Sequence, residues 1–167
     1  VSGVLVVDEA TRVEMAEFKI VHNPDTLVTS ALGSCIGVAL YDPELKIGGL
    51  AHIMLPDSSI ARERANRGKF VDTAIEAMVE ELENRGAECS RMEAKLVGGA
   101  CMFSFAGKSP LTDIGQKNVA AAKFILRRKG IRIVAEDTGK NYGRCVEFCC
   151  STGKLKVKSL SQREREL

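Results

Sequence analysis

The sequence predicts an α+β fold with a strongly β core and two main helices on its outside. Three observations predict it. Strand-length apolar runs recur along the 167 residues, about eight or nine of them, bounded by turn residues. Only two segments carry apolar residues at helical spacing. Those two do not alternate with the strands as βαβ units. Length and composition fit one domain over 1–167 with a sizeable core.

Val4–Val7 opens as a short β-like run, and "TRVEMAEFKIV" is read as a second strand. "DTLVTSALGSCIGVALYD" reads as strand, tight turn, strand, broken at Gly33-Ser34. "KIGGLAHIMLP" is apolar at both alternating sets of positions, so it is expected to be covered on both faces. "DSSIARERANRG" is polar and charged and is expected to be a mobile loop.

A helix is predicted from about Lys69 to Arg85, because Val71, Ala74, Ile75, Met78 and Leu82 share one face and Gly86 supplies a stop. "MEAKLVGG" is a strand running into a glycine pair. A second helix is predicted from near Asp113, with Asp113 and Gln116 as a capping box, Val119, Ala122 and Leu126 inward, and Gly130 as its end. "IRIVAED" is a strand, and "RCVEFCC", "STGK" and "LKVKSL" form a final hairpin. The charged tail, residues 161–167, is expected to fray.

Apolar residues make up 45% and charged residues 28%, an ordinary balance for a soluble domain. A net charge of +2 gives no strongly basic patch, so nucleic acid is not an expected partner. No apolar run is long enough to span a bilayer, and membrane insertion is not expected. No charged-then-apolar leader opens the sequence. With no sign of a disulfide framework, this gives a cytoplasmic expectation. Cys145, Cys149 and Cys150 form C-x-x-x-C-C, which is not a usual zinc spacing, so no metal or other cofactor is expected. Every cysteine except Cys35 is read as a small buried hydrophobe.

Three constellations bear on chemistry. "AGKS", at 106–109, resembles the end of a phosphate-binding loop, but Met102 stands where the pattern needs its first glycine. Gly48-Gly49 and Gly98-Gly99 match no dinucleotide pattern and read as tight bends or close backbone approaches. The third is Cys35 with His52. A thiol acts as a nucleophile once it is a thiolate, and an imidazole can take its proton. Cys35 follows a turn whose amides, at Ser34 and Cys35, could hold an oxyanion. Thr29 and Asp42 are candidates to orient His52, and His22 is a rival base in a turn-like segment. On residue types alone, core filling is the favoured reading of Cys35 and His52.

Several stretches in order, "TSALGSCIGVALYD", "GGLAHIMLP", "KLVGGACMF", "DIGQKNV" and "AEDTGKNYGR", resemble CheD, the chemoreceptor glutamine deamidase family of bacterial and archaeal chemotaxis. The resemblance implies a layered α/β sandwich similar to the catalytic domain of the cytotoxic necrotizing factor toxins. It implies a Cys-His-Thr triad, which falls on Cys35, His52 and Thr29 and demotes Asp42. It implies deamidation of glutamines on methyl-accepting chemotaxis receptors through a thioester, with no cofactor. It also implies binding to the phosphatase CheC. One departure is Cys101, where the family's Gly-Gly-Ala-Asn places asparagine. Arg62, Arg64 and Arg67 of the charged loop are candidates to steer acidic receptor helices. Two alternatives are kept: a regulatory partner of CheC with deamidation secondary, and a receptor methyl-ester hydrolase.

Overall fold

A computed structural model describes residues 10–102 and 114–167. The Val4–Val7 strand, the "AGKS" segment and the Asp113 cap fall outside the described residues.

Two five-stranded sheets and two helices stack in layers. The strands are β1 (Thr11–Arg12), β2 (Glu17–His22), β3 (Thr26–Leu32), β4 (Ile36–Asp42) and β5 (Ile47–Ile53). Helix α1 (Val71–Asn84), β6 (Glu93–Gly98), α2 (Ile114–Arg128) and β7 (Arg132–Thr138) follow. The chain closes with β8 (Arg144–Cys149), β9 (Leu155–Lys158) and β10 (Arg165–Glu166). One sheet runs β2-β5-β4-β6-β7 and the other β1-β3-β8-β9-β10.

The first sheet is the middle layer. Every residue of β4 and β5 is buried, as expected for strands covered on both faces. Ile36, Val38 and Leu40 of β4 pack with Val71, Ile75, Met78 and Leu82 of α1 and with Ala122 and Leu126 of α2. Their alternate neighbours Ala39 and Tyr41 turn the other way, onto Leu27, Val146 and Phe148 of the second sheet. The expected inward faces of both helices are thus the faces that pack.

Two local readings are corrected. "TRVEMAEFKIV" is two strands in different sheets, β1 and β2, separated by a turn with Ala16 at φ 63°. The tail does not fray at its end: Arg165 and Glu166 pair with β9, and Leu167 exchanges backbone hydrogen bonds with Leu155. Gly33-Ser34 separates two strands as expected, and the strands lie in different sheets, β3 in the outer one and β4 in the middle one.

The cysteines are also less uniform than expected. All six are free thiols; Cys35 and Cys150 are buried, Cys101 and Cys145 are exposed, and Cys89 and Cys149 are intermediate. The "AEDTGKNYGR" stretch acquires a structural meaning. Buried Arg144 holds Asp137 through Nε at 3.2 Å and the Gly139 carbonyl at 2.9 Å, closing the loop between β7 and β8.

Gly48 leaves no room for a side chain between its neighbour β4 and the outer sheet. A Cβ there would lie 2.5 Å from the Leu40 carbonyl and 3.0 Å from the Phe148 ring. Gly48→Ala is therefore expected to lower stability by about 1–3 kcal/mol through overpacking, read as a lower denaturation midpoint with an unchanged m-value.

Candidate active site

His52 enters the interior because of its register. It lies on β5 between Glu17 of β2 and Gly37 of β4. Ala51 and Ile53 pack with the helices, whereas Leu50 packs toward the outer sheet and His52, two residues on, shares its face. There it meets Thr29 of β3. Both side chains are almost fully enclosed, at 1% and 2% exposure.

The hydroxyl of Thr29 has one hydrogen to give. It donates that hydrogen to the Val13 carbonyl at 2.8 Å. Toward His52 Nδ1, also at 2.8 Å, it can then only accept. The proton of neutral His52 is therefore on Nδ1, and Nε2 carries a free lone pair. Nε2 is buried and has no hydrogen-bond partner among the described residues. A buried, oriented and unpartnered imidazole nitrogen is an arrangement suited to accepting a proton.

Cys35 lies on the same face of the middle sheet. Gly37 is directly opposite His52, so Cys35, two residues earlier, is its diagonal neighbour. Diagonal positions are about 7–8 Å apart at the backbone. Glycine at 37 leaves no side chain between them. Cys35 Sγ and His52 Nε2 make no hydrogen bond with each other. Catalytic contacts often tighten only once substrate is bound.

The turn carrying Cys35 is framed on two sides. The Gly99 N–H donates to the Cys35 carbonyl and the Ala100 N–H to the Gly33 carbonyl, each at 2.9 Å. Gly98, at φ 108°, is required where it stands: a Cβ would collide with the Cys35 carbonyl. The glycine pair is thus the close backbone approach expected of it. On the other side, Asn118 of α2 donates to the Ser34 carbonyl at 2.9 Å and to the Met54 carbonyl at 3.0 Å. Asn118 and Val13 were not singled out by the sequence reading. For Asn118 a signal existed, since it is a polar residue in the inward stripe that Ala122 and Leu126 continue.

Burial pushes the Cys35 thiol up, opposed by a hydrogen bond from its own backbone N–H. Burial pushes His52 down, opposed weakly by Glu14. Both directions favour a neutral thiol beside a neutral imidazole over an ion pair.

The other candidates lie elsewhere. Asp42 is at the far end of β4, bound to Arg91 at 2.9 Å. Burial raises its carboxyl, but Arg91 and the Glu44 and Leu45 amides outweigh this and hold it low. His22 is exposed, with its Nδ1 3.1 Å from the Asn23 carbonyl. In the charged loop all three arginines are exposed; Arg64 donates to the Ala61 and Ser59 carbonyls and Arg67 pairs with Glu80 at 3.1 Å. Cys101 is exposed beyond the glycine pair, and its N–H donates to the Lys140 carbonyl. No helix among the described residues is long and apolar enough to cross a membrane.

Comparison with known proteins bears on this arrangement. Residues 54–159 match the family model described as CheD chemotactic sensory transduction. That span begins just past His52, so it does not itself include Thr29, Cys35 or His52. Full-length relatives do extend across them. A probable chemoreceptor glutamine deamidase CheD from Syntrophomonas wolfei is 47% identical over 154 residues, covering 92% of this chain and 96% of the relative. The chemoreceptor glutamine deamidase CheD of Halalkalibacterium halodurans is 44% identical over 161 residues, covering 96% and 99%. Among solved structures, the hypothetical protein YfiH of Bacillus licheniformis is a distant likeness, with TM-score 0.45 and 13% identity over 77% of this chain and 58% of that one. Two sequence relatives of matching length and a family model spanning most of the chain agree: the chain belongs to the CheD family.

Proposed function

We propose that this chain is a cysteine-dependent protein-glutamine deamidase acting on chemotaxis receptors. The relatives' names supply the substrate class. The observation that carries the chemistry is the Thr29–His52 pair, which fixes the proton on Nδ1 and leaves Nε2 free on the face that Cys35 shares.

In the proposed reaction, His52 Nε2 takes the Cys35 proton as sulfur attacks the glutamine carboxamide carbon. The amides of Ser34 and Cys35 hold the oxyanion. His52 returns the proton to the leaving nitrogen, the C–N bond breaks, and ammonia departs from a thioester. Water, deprotonated by His52, then attacks the thioester and releases glutamate and the Cys35 thiol. Thr29 orients the ring. As a neutral group it stabilises the imidazolium less than a carboxylate would, in keeping with a slow, regulatory modification. The loop at 57–68 forms a lip to the site, shaped by Arg64 and Arg67, with exposed Arg62 facing acidic receptor helices. The chain works in the cytoplasm, where receptor signalling helices lie.

The test is incubation with a purified receptor cytoplasmic fragment, following Gln-to-Glu conversion by mass spectrometry. Conversion supports the proposal. No conversion alongside tight CheC binding would favour the regulatory-partner reading, and loss of methyl groups without Gln conversion would favour the esterase.

The pH dependence has a definite sign. The base must be unprotonated in the free enzyme, and burial holds His52 below its ordinary value. The acid limb of kcat/KM is therefore expected below about pH 6.5, the value of an unperturbed imidazole. A midpoint above that value would contradict a buried, neutral base.

A further inference from the structure

We infer that Asn118 is a positioning residue that fixes the nucleophile turn relative to the strand carrying the base. Its two amide hydrogens go to the Ser34 and Met54 carbonyls, at 2.9 and 3.0 Å. Ser34 immediately precedes Cys35, and Met54 follows His52 by two residues. One carboxamide thus ties together the two chain segments whose separation decides whether sulfur and Nε2 can meet. No hydrogen bond between Cys35 Sγ and His52 Nε2 sets that separation.

The orientation of the carboxamide is determined by its surroundings. Reversing it would set Oδ1 against two carbonyl oxygens, so the nitrogen must face them. Oδ1 itself is buried without a partner among the described residues. Leaving it unpartnered is a cost, and the site bears that cost to keep both donors on the two carbonyls. Helix α2 is seated to make this reach. A Cβ on Gly115 would lie 2.5 Å from the Ala100 carbonyl, so α2 lies directly against the segment that frames Cys35 from the other side. Asn118 is fully buried. It therefore acts through backbone geometry and not by touching substrate.

The inference rests on Cys35 and His52 being the reactive pair. Its test compares Asn118→Ala with Leu126→Ala, which damages the buried face of the same helix without touching either carbonyl. Both are assayed at a temperature where thermal unfolding shows them folded. Two quantities are read: receptor deamidation, and the rate of iodoacetamide alkylation at the Cys35 peptide.

Asn118→Ala is expected to lower kcat about 10–100-fold with KM within about threefold, because a displacement near an ångström is costly to a reacting pair. The alkylation rate at Cys35 is expected to change as well, and Leu126→Ala to leave both quantities within about threefold. Wild-type kcat and alkylation in Asn118→Ala, or an equal loss in Leu126→Ala, would overturn the inference. If Asn118→Ala does not fold, Asn118→Ser, with one donor for two carbonyls, carries the same comparison. Cys35→Ala separates the two levels. If it keeps full turnover, the catalytic reading falls and the inference with it. If it is inactive while Asn118→Ala behaves as wild type, only the inference falls.

Discussion

Cys35→Ala is expected to reduce receptor deamidation by at least about 10³-fold while leaving the fold intact, because removing the nucleophile of a covalent mechanism removes the reaction path itself. The fold should tolerate the change. Cys35 lies at the rim of the core between the sheets at 8% exposure, and alanine differs from it by a single sulfur atom. The stability loss should be no more than about 1 kcal/mol, read from denaturant unfolding. Cys35→Ser is the sharper companion. Its hydroxyl is smaller and far less acidic than the thiol, and a neutral, buried imidazole is a weak base for it. Serine should therefore leave turnover close to that of alanine. Mass spectrometry of the receptor fragment decides the matter; conversion by Cys35→Ala within tenfold of wild type would remove Cys35 from the mechanism. The exposed thiols provide an internal control. Cys101→Ala and Cys145→Ala should retain turnover, because both side chains face solvent.

How much of this could be read from the chain depends on which interactions are local. The helices were legible because Val71, Ala74, Ile75, Met78 and Leu82 repeat at helical spacing and all pack on the middle sheet. The double-sided burial of β5 was legible for the same reason, since both of its alternating sets are apolar. Strand partnership was not. Gly33-Ser34 carries the same turn signal whether the next strand returns beside the first or crosses to another sheet, and here it crosses. The division of "TRVEMAEFKIV" was hidden because Ala16, unlike glycine, does not announce a positive φ. The tail reads as charged, yet Arg165 and Glu166 sit on an edge strand whose side chains stay in solvent.

Within the site, residue types pointed to Cys35 and His52, but only family resemblance separated chemistry from core filling. The structure adds the reason Thr29 outranks Asp42. Thr29 stands across the sheet interface from His52, whereas Asp42 pairs with Ile47 of β5, at the opposite end of the strand from His52. The three arginines illustrate the converse limit. Their charge is evident in sequence, but the carbonyls and the glutamate that occupy Arg64 and Arg67 come from the folded loop and from α1.

Thr29→Val is expected to lower kcat about 10²-fold, and the reason lies in hydrogen-bond counting. Valine fills the same volume but can neither donate to the Val13 carbonyl nor accept from His52 Nδ1. Two buried groups lose their partners, at about 1–3 kcal/mol each, so a lower unfolding midpoint is expected as well. The catalytic loss has a separate origin. Without an acceptor at Nδ1, His52 is free to place its proton on Nε2, the nitrogen that must receive the thiol proton. The imidazolium also loses a charge-assisted bond, so its pKa falls further and the acid limb of kcat/KM moves to lower pH. Thr29→Ser keeps the hydroxyl and loses only a methyl group. It should be destabilised through packing yet retain kcat within about tenfold of wild type, with an unmoved acid limb. The pair of variants thereby separates a hydroxyl that orients the base from one that merely supports the fold. If valine and serine at this position gave equal kcat at matched stability, His52 would be held by its apolar walls alone, and Thr29 would have no part in the reaction.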